Sequence, residues 1–236
     1  MQQQAYEADI IIEEVLKYRV HQKHLGTRKL LAEMQTFLDS HRFQIGRDAL
    51  FTLLADRSLL VRRRKRKGSI TTFSKHRYRK YPNIIKGYIP IAPNLLWATD
   101  ITYIHVGTGF AYLSLITDLY SHKLVGFHLH ETLSAKGPLQ ALKMALKSAA
   151  DVSQLIHHSD RGVQYCCDEY VKLLNDNHIK ISMTENGDPL ENAVAERVNG
   201  ILKMELLEAA YSNFTTAQDA IAVAISTYNY LRPHNS

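Results

Sequence analysis

Cysteine is nearly absent: two among 236 residues, Cys166 and Cys167, and these are adjacent. Neighbouring cysteines form no ordinary disulfide and lack the paired spacing of a structural zinc site, so neither staples nor zinc hold this fold. No apolar stretch approaches the roughly 18–20 residues that a bilayer span needs, which excludes a membrane-spanning helix. The N-terminus Met-Gln-Gln-Gln-Ala-Tyr-Glu-Ala-Asp has no basic start followed by an apolar stretch and a cleavage site, and the expectation is a cytoplasmic protein. Proline is scarce, and three of its six copies, Pro82, Pro90 and Pro93, fall close together. Internal repeats and low-complexity tracts are missing, one basic run excepted.

Charge is plentiful but unevenly placed. Residues 1–94 hold 19 Lys/Arg against 8 Asp/Glu, net +11, and residues 95–236 hold 10 against 15, net −5, which agrees with the overall +6. A basic half followed by an acidic half suggests one part that holds a polyanion and another that gathers carboxylates for a separate purpose.

Apolar positions at helical spacing run from about Glu7 to His21, from Thr27 through Leu30, Leu31, Met34 and Phe37, and from Arg47 to Ala55, with 39–46 as the last connection. Three short helices over 1–60 suit a helix-turn-helix-like unit; a small helical bundle with no DNA role has the same pattern. Arg62, Arg63, Arg64, Lys65, Arg66 and Lys67 follow, then Lys75, Arg77, Arg79 and Lys80 interleaved with Phe73, Tyr78 and Tyr81. Such a run stays extended until an anion neutralises it, and it reads as a phosphate-tracking arm within a basic linker over 61–94. Its bland reading is a solvated connection.

Over 95–236 the pattern changes to strands: Leu95–Val106, Ala111–Tyr120 and Lys123–Glu131 form an antiparallel meander. A helix over Ser134–Ala150, a strand over Gln154–His158, a helix over Asp168–His178 and a strand over Lys180–Met183 continue it as parallel strands with crossovers. Helices over Glu191–Leu207 and Thr215–Leu231 close the chain. The fold class is α/β, a mixed sheet with flanking helices, preceded by a small all-α unit.

Three carboxylates stand out in that half. Asp100 interrupts the apolar run Leu96–Ile104, where burying an unpaired charge is expensive. Asp160 follows the apolar Leu155-Ile156, at a strand's C-terminal end, where open sheets place ligands. Glu196 shares a helix face with Asn192, Asn199 and Lys203, opposite Val194, Val198, Ile201 and Leu202. Taken singly, each has an ordinary reading: an Asp hydrogen-bonded to backbone, a turn cap, a solvated surface Glu. Together they are candidates to converge, and clustered carboxylates repel unless divalent cations neutralise them; oxygen-only ligands select Mg²⁺ or Mn²⁺. Lys203 either touches a nearby phosphate or is simply solvated.

The ordered set Trp97-x-x-Asp100-Ile101-Thr102-Tyr103, His158-Ser159-Asp160-Arg161-Gly162 and Asn192-Ala193-x-x-Glu196, with 35 residues between Asp160 and Glu196, strongly resembles the DDE core of insertion-sequence transposases of the OrfB type, relatives of retroviral integrases. His24-Leu25-Gly26-Thr27-Arg28-Lys29-Leu30 is similar to the start of the helix-turn-helix segment in that family, and Tyr228-Asn229-x-x-Arg232-Pro233-His234 to its terminal signature, so the likeness spans about 20–236. Glu191 stands where Asp is commoner, and the stop at Ser236, short of the usual family length, suggests a truncated copy.

The resemblance implies an RNase H-like catalytic domain over 95–236 and a DNA transposase that cleaves and transfers strands. It implies Asp100, Asp160 and Glu196 as catalytic residues and metal ligands, two Mg²⁺ or Mn²⁺ ions per active site with Asp100 bridging them, and Lys203 with the basic arm on DNA. Its implied partners are element-end and target DNA, an OrfA-type subunit or fusion, and further copies of the chain on DNA, with no membrane. Two other readings remain: an inactive DNA-binding remnant that regulates transposition, and an RNase H-type nuclease.

Overall fold

The computed structural model describes residues 2–61, 76–185 and 193–232, with side chains from Ala5 onward. Arg62, Arg63, Arg64, Lys65, Arg66 and Lys67 therefore lie outside the described residues, as do Phe73, Lys75, Glu191, Asn192, Pro233 and His234.

Four helices come first: α1 (Gln2–His21), α2 (Thr27–Glu33), α3 (Gln35–His41) and α4 (Arg47–Asp56). Ile11, Ile12, Val15, Leu25, Leu30, Met34, Leu38, Leu50 and Leu54 are buried together among them, a core of their own. The single helix expected from Thr27 through Phe37 is two. Met34, with ψ −2°, turns the chain between α2 and α3, which lets Leu30, Met34 and Leu38 all face that core. α3 then runs on to His41, into the expected connection, and stops where Arg42 adopts a left-handed φ of 58° while Phe43 N–H bonds the Leu38 carbonyl at 2.9 Å.

The second part is a five-stranded sheet in the order β3-β2-β1-β4-β5, made of β1 (Leu96–Val106), β2 (Gly109–Asp118), β3 (Leu124–His130), β4 (Ile156–Ser159) and β5 (Lys180–Met183). The first three are antiparallel and β1, β4 and β5 are parallel, as the alternation of patterns predicts. Gly107, at φ 56°, makes the tight β1–β2 turn. Helices α5 (Lys136–Ser148), α6 (Val163–Cys166) and α7 (Asp168–Asp176) cover one face, on which Trp97, Ile101, Ile116, Ala141, Leu155 and Tyr170 pack. The opposite face carries α8 (Ala193–Ile201) and α9 (Phe214–Tyr230), over Ile104, Leu113, Leu115, Val198, Leu202, Ile221 and Tyr228. Coverage of both faces explains why β1 reads as nearly continuous apolar sequence.

Two elements differ from expectation. The one-turn α6 has no apolar period long enough to register in a sequence. The helix expected to run to Leu207 is α-helical only to Ile201, and its last turn, Leu202–Leu206, widens into a π-helix. The proline-bearing segment before the sheet is not a free tether where it is described: Ile84 N–H bonds Ser182 Oγ at 3.1 Å, Met183 N–H bonds the Pro82 carbonyl at 3.3 Å, and Tyr78 and Tyr81 pack against the α5–α7 core. Within the described residues no helix is long and apolar enough to cross a membrane.

Candidate active site

Parallel pairing brings the two aspartates together. Ala98 of β1 is level with His158 of β4, so Asp100 and Asp160, each two residues further along, stand side by side where the strands diverge. Alternation turns Asp100 toward the face that carries α8. Asp100 Oδ1 accepts from Ile101 N–H at 2.8 Å, and its Oδ2 accepts from the Asn199 side-chain amide. Asp160 sits just past the end of β4, and its Oδ1 accepts from Gly162 N–H at 2.9 Å.

Electrostatics mark Asp100 as the strained member. Burial pushes its carboxyl up to about 7, and the neighbouring Asp160 charge adds to the rise. The hydrogen bonds from Ile101 and Asn199 oppose that rise, while Glu196 contributes the smallest upward push. Glu196 thus acts on Asp100 from the exposed start of α8. Among the described residues no three His, Cys, Asp or Glu side chains stand close enough to share one ion. The aspartate pair is the compact part, and Glu196 is its outlying neighbour.

Lys203 lies on the π-helical turn, half-buried. Burial lowers its pKa, and the Asp100 charge partly offsets that effect. Tyr165 of α6 is buried behind the aspartates and pairs with Thr99 Oγ1 at 3.3 Å. Burial first, and then the Asp160 charge, raise its hydroxyl well above the ordinary range.

Sequence reasoning places Asn199 on the Glu196 face by spacing alone and does not single it out. Its three-residue offset from Glu196, beside the apolar Val198, is the signal that would have done so. Nothing in the pattern marks Tyr165, because α6 itself is not legible. Cys166 has no role beside the pair: burial pushes its thiol up to about 11, and its Sγ lies 3.6 Å from Met183 Sδ. The neighbouring buried His157 is driven down to about 3 by burial and pairs with Tyr170 Oη at 3.0 Å, a core contact.

The chain has recognisable relatives along most of its length. Two family models, each described as an integrase core domain, match residues 90–189 and 177–236. The chain is 35% identical over 214 residues to the insertion element IS600 uncharacterized 31 kDa protein of Shigella sonnei, covering 89% of this chain and 78% of that one. It is 36% identical over 124 residues to a putative transposase for insertion sequence element IS986/IS6110 of Mycobacterium tuberculosis, covering 50% of this chain and 45% of that one. The match therefore spans less than half of that second relative. Among solved structures, the simian T-cell lymphotropic virus intasome in complex with PP2A regulatory subunit B56 gamma contains a chain that aligns at a TM-score of 0.53 and 17% identity, over 93% of this chain and 69% of that one, which establishes the fold alone. With an RNase H-like sheet, integrase-core matches over 90–236 and relatives among insertion elements, the chain belongs to the insertion-sequence transposases of the OrfB type.

Proposed function

We propose that this chain is the catalytic subunit of a DNA transposase that cleaves DNA strands and joins them to a target, with Asp100, Asp160 and Glu196 as its catalytic carboxylates. One observation carries the reading: parallel pairing of β1 with β4 brings a half-buried Asp100 level with Asp160, and burial together with the Asp160 charge pushes the Asp100 carboxyl up. Two carboxylates held level on parallel strands repel, and a divalent cation between them removes the repulsion. The donor set is oxygen only, which suits Mg²⁺ or Mn²⁺. The aspartates would form the fixed part of a site for two such ions, and the exposed Glu196 would complete it from α8. When bound, such cations lower the pKa of an attacking water or terminal 3′-hydroxyl and neutralise charge on the leaving 3′-oxygen.

The surrounding side chains do the orienting. Asn199 and Ile101 N–H each hold one oxygen of Asp100, and Gly162 N–H holds Asp160. Lys203 directs a positive charge toward the same point, suited to a phosphate oxygen.

The domain division proposed is a helix-turn-helix-like unit over 1–60, a basic connection over 61–94 that grips phosphates through Arg62–Lys67, and a catalytic core over 95–236. Partners would be element-end and target DNA, an OrfA-type subunit, and further copies of this chain on DNA, in the cytoplasm and at the nucleoid. The test uses Asp100→Asn, Asp160→Asn and Glu196→Gln on a labelled element-end duplex with Mg²⁺. Each amide removes a ligand charge at nearly constant volume, so cleavage and joining should fall by at least about a thousandfold while the DNA Kd stays within about twofold. A variant that keeps near-wild-type cleavage removes its residue from the site.

A further inference from the structure

The π-helical turn that ends the Glu196 helix carries two charges two residues apart, and they serve different neighbours. Lys203 feels the Asp100 charge, whereas Glu205 bonds Lys29 of α2 and Arg232 just past the end of α9. Both Glu205 oxygens are doubly engaged. Lys29 Nζ of α2 donates to Oε1 and to Oε2, each at 2.8 Å; Arg232 Nε donates to Oε2 at 2.9 Å and its Nη2 to Oε1 at 3.3 Å. The cluster is largely sealed, with side-chain exposures of 16% for Lys29, 26% for Glu205 and 7% for Arg232. The Arg232 guanidinium also lies 5.8 Å from the ring centre of the buried Tyr228. Burial acts to raise the Glu205 carboxyl, yet its bonds to Arg232 and Lys29 hold it below the usual range, so the clamp carboxylate is ionised.

Other contacts along this seam are weaker. Lys23 pairs with Glu208 at 2.7 Å, both substantially exposed, and Gln22 Nε2 donates to the Leu231 carbonyl at 3.2 Å. Exposed pairs hold little, and a desolvated carboxylate with four charge-assisted bonds holds much more. Glu205 is therefore the point at which the helical region grips the core. It does so on the same turn as Lys203 and directly after the helix bearing Asn199 and Glu196. π-helical turns are rare, and they are frequent at functional sites.

We propose that Glu205 is a positioning residue: the Lys29–Glu205–Arg232 clamp fixes the π-helical turn, so that docking of the N-terminal helices sets where Glu196, Asn199 and Lys203 stand relative to Asp100. For cleavage this rests on the proposed function, but for the structural coupling it stands alone. Removal of Lys29 leaves the carboxylate half-paired and frees one side of the turn. The strain passes into α8, which is otherwise fastened to the sheet by Val198, Leu202 and the Asn199 bond to Asp100.

The test is hydrogen exchange followed by mass spectrometry on the full chain, comparing wild type with Glu205→Gln, Lys29→Met and Lys29→Arg. Glu205→Gln and Lys29→Met should speed exchange across 193–206 by about tenfold while peptides of α5 keep their wild-type rate, and Lys29→Arg, which keeps the charge, should behave as wild type. Single-turnover cleavage should fall in step with DNA affinity unchanged. Should Glu205→Gln fail to fold, Lys29→Met decides alone. Faster exchange confined to α2, or spread equally through α5, overturns the coupling, because a merely structural contact would do either. A wild type that cleaves no DNA while 193–206 responds as expected removes the proposed activity and leaves the clamp standing.

Discussion

Replacing Asp100 with Asn in the metal-free protein should make the protein more stable, and by an amount that depends on pH. The native Asp100 carboxyl titrates near 7, against the ordinary 3.8 it has when unfolded. A carboxyl raised in the native state binds its proton there more tightly than in the unfolded chain, so its contribution to stability grows as pH falls below 7 and vanishes above it. At pH 8 both states are ionised, and the fold bears the whole repulsion and desolvation. At pH 5 the native carboxyl, two units below its pKa, is protonated while the unfolded one is still charged. Two units at 1.36 kcal/mol each give about 2.7 kcal/mol recovered by wild type between pH 8 and pH 5. The amide in Asp100→Asn cannot titrate, so the variant lacks that gain. The assay is urea unfolding of both proteins with chelator at each pH. The variant's stability advantage at pH 8 should shrink by about 2.7 kcal/mol at pH 5, histidine titrations being common to both chains. An advantage equal at the two pH values would refute a buried, raised Asp100.

Two further outcomes follow from other parts of the chain. Replacing Arg62, Arg63, Arg64, Lys65, Arg66 and Lys67 with neutral residues should weaken binding to any duplex and flatten its salt dependence, by roughly 0.9 in the slope of log K against log salt for each phosphate no longer neutralised; an unchanged slope shows the arm to be a connection only. Gly126→Ala should lower stability by at least about 1–3 kcal/mol in urea melts, because a Cβ on β3 would stand 2.9 Å from the Ala145 Cβ and press on the Ala141 carbonyl of α5; a neutral substitution means that α5 does not pack as closely as described.

How much of this was legible beforehand differs by element, for physical reasons. The sheet reads from the sequence because β1, β2 and β3 alternate strand runs with Gly107 and the 119–123 turn, and the parallel pair needs only a helix between strands. Asp100 stands out because a charge amid Leu96–Ile104 violates a burial rule that ordinary core sequence obeys, and Asp160 because it follows Leu155-Ile156 at a strand end; the set with Glu196 reads from the ordered motifs around them. Met34 leaves no mark, since a buried methionine at helical spacing fits one helix or two equally well. The π-helical turn escapes for a related reason: its Glu205 bonds Lys29 and Arg232, 176 and 27 positions away, and no local pattern encodes such contacts. Asn199 shows the boundary between the two cases. Its helix face follows from spacing, whereas its bond to Asp100 requires the sheet.

The central claim, that Asp100 and Asp160 with Glu196 form a divalent-cation site for strand transfer, is met most directly by titrating Mn²⁺ into the full chain at constant ionic strength and counting bound ions calorimetrically. Wild type should bind two ions per chain and melt at higher temperature as they bind, by mass action on the folded site. Asp100→Asn should lose both ions and the thermal response together; equal binding and equal melting shifts in the two proteins would contradict the account.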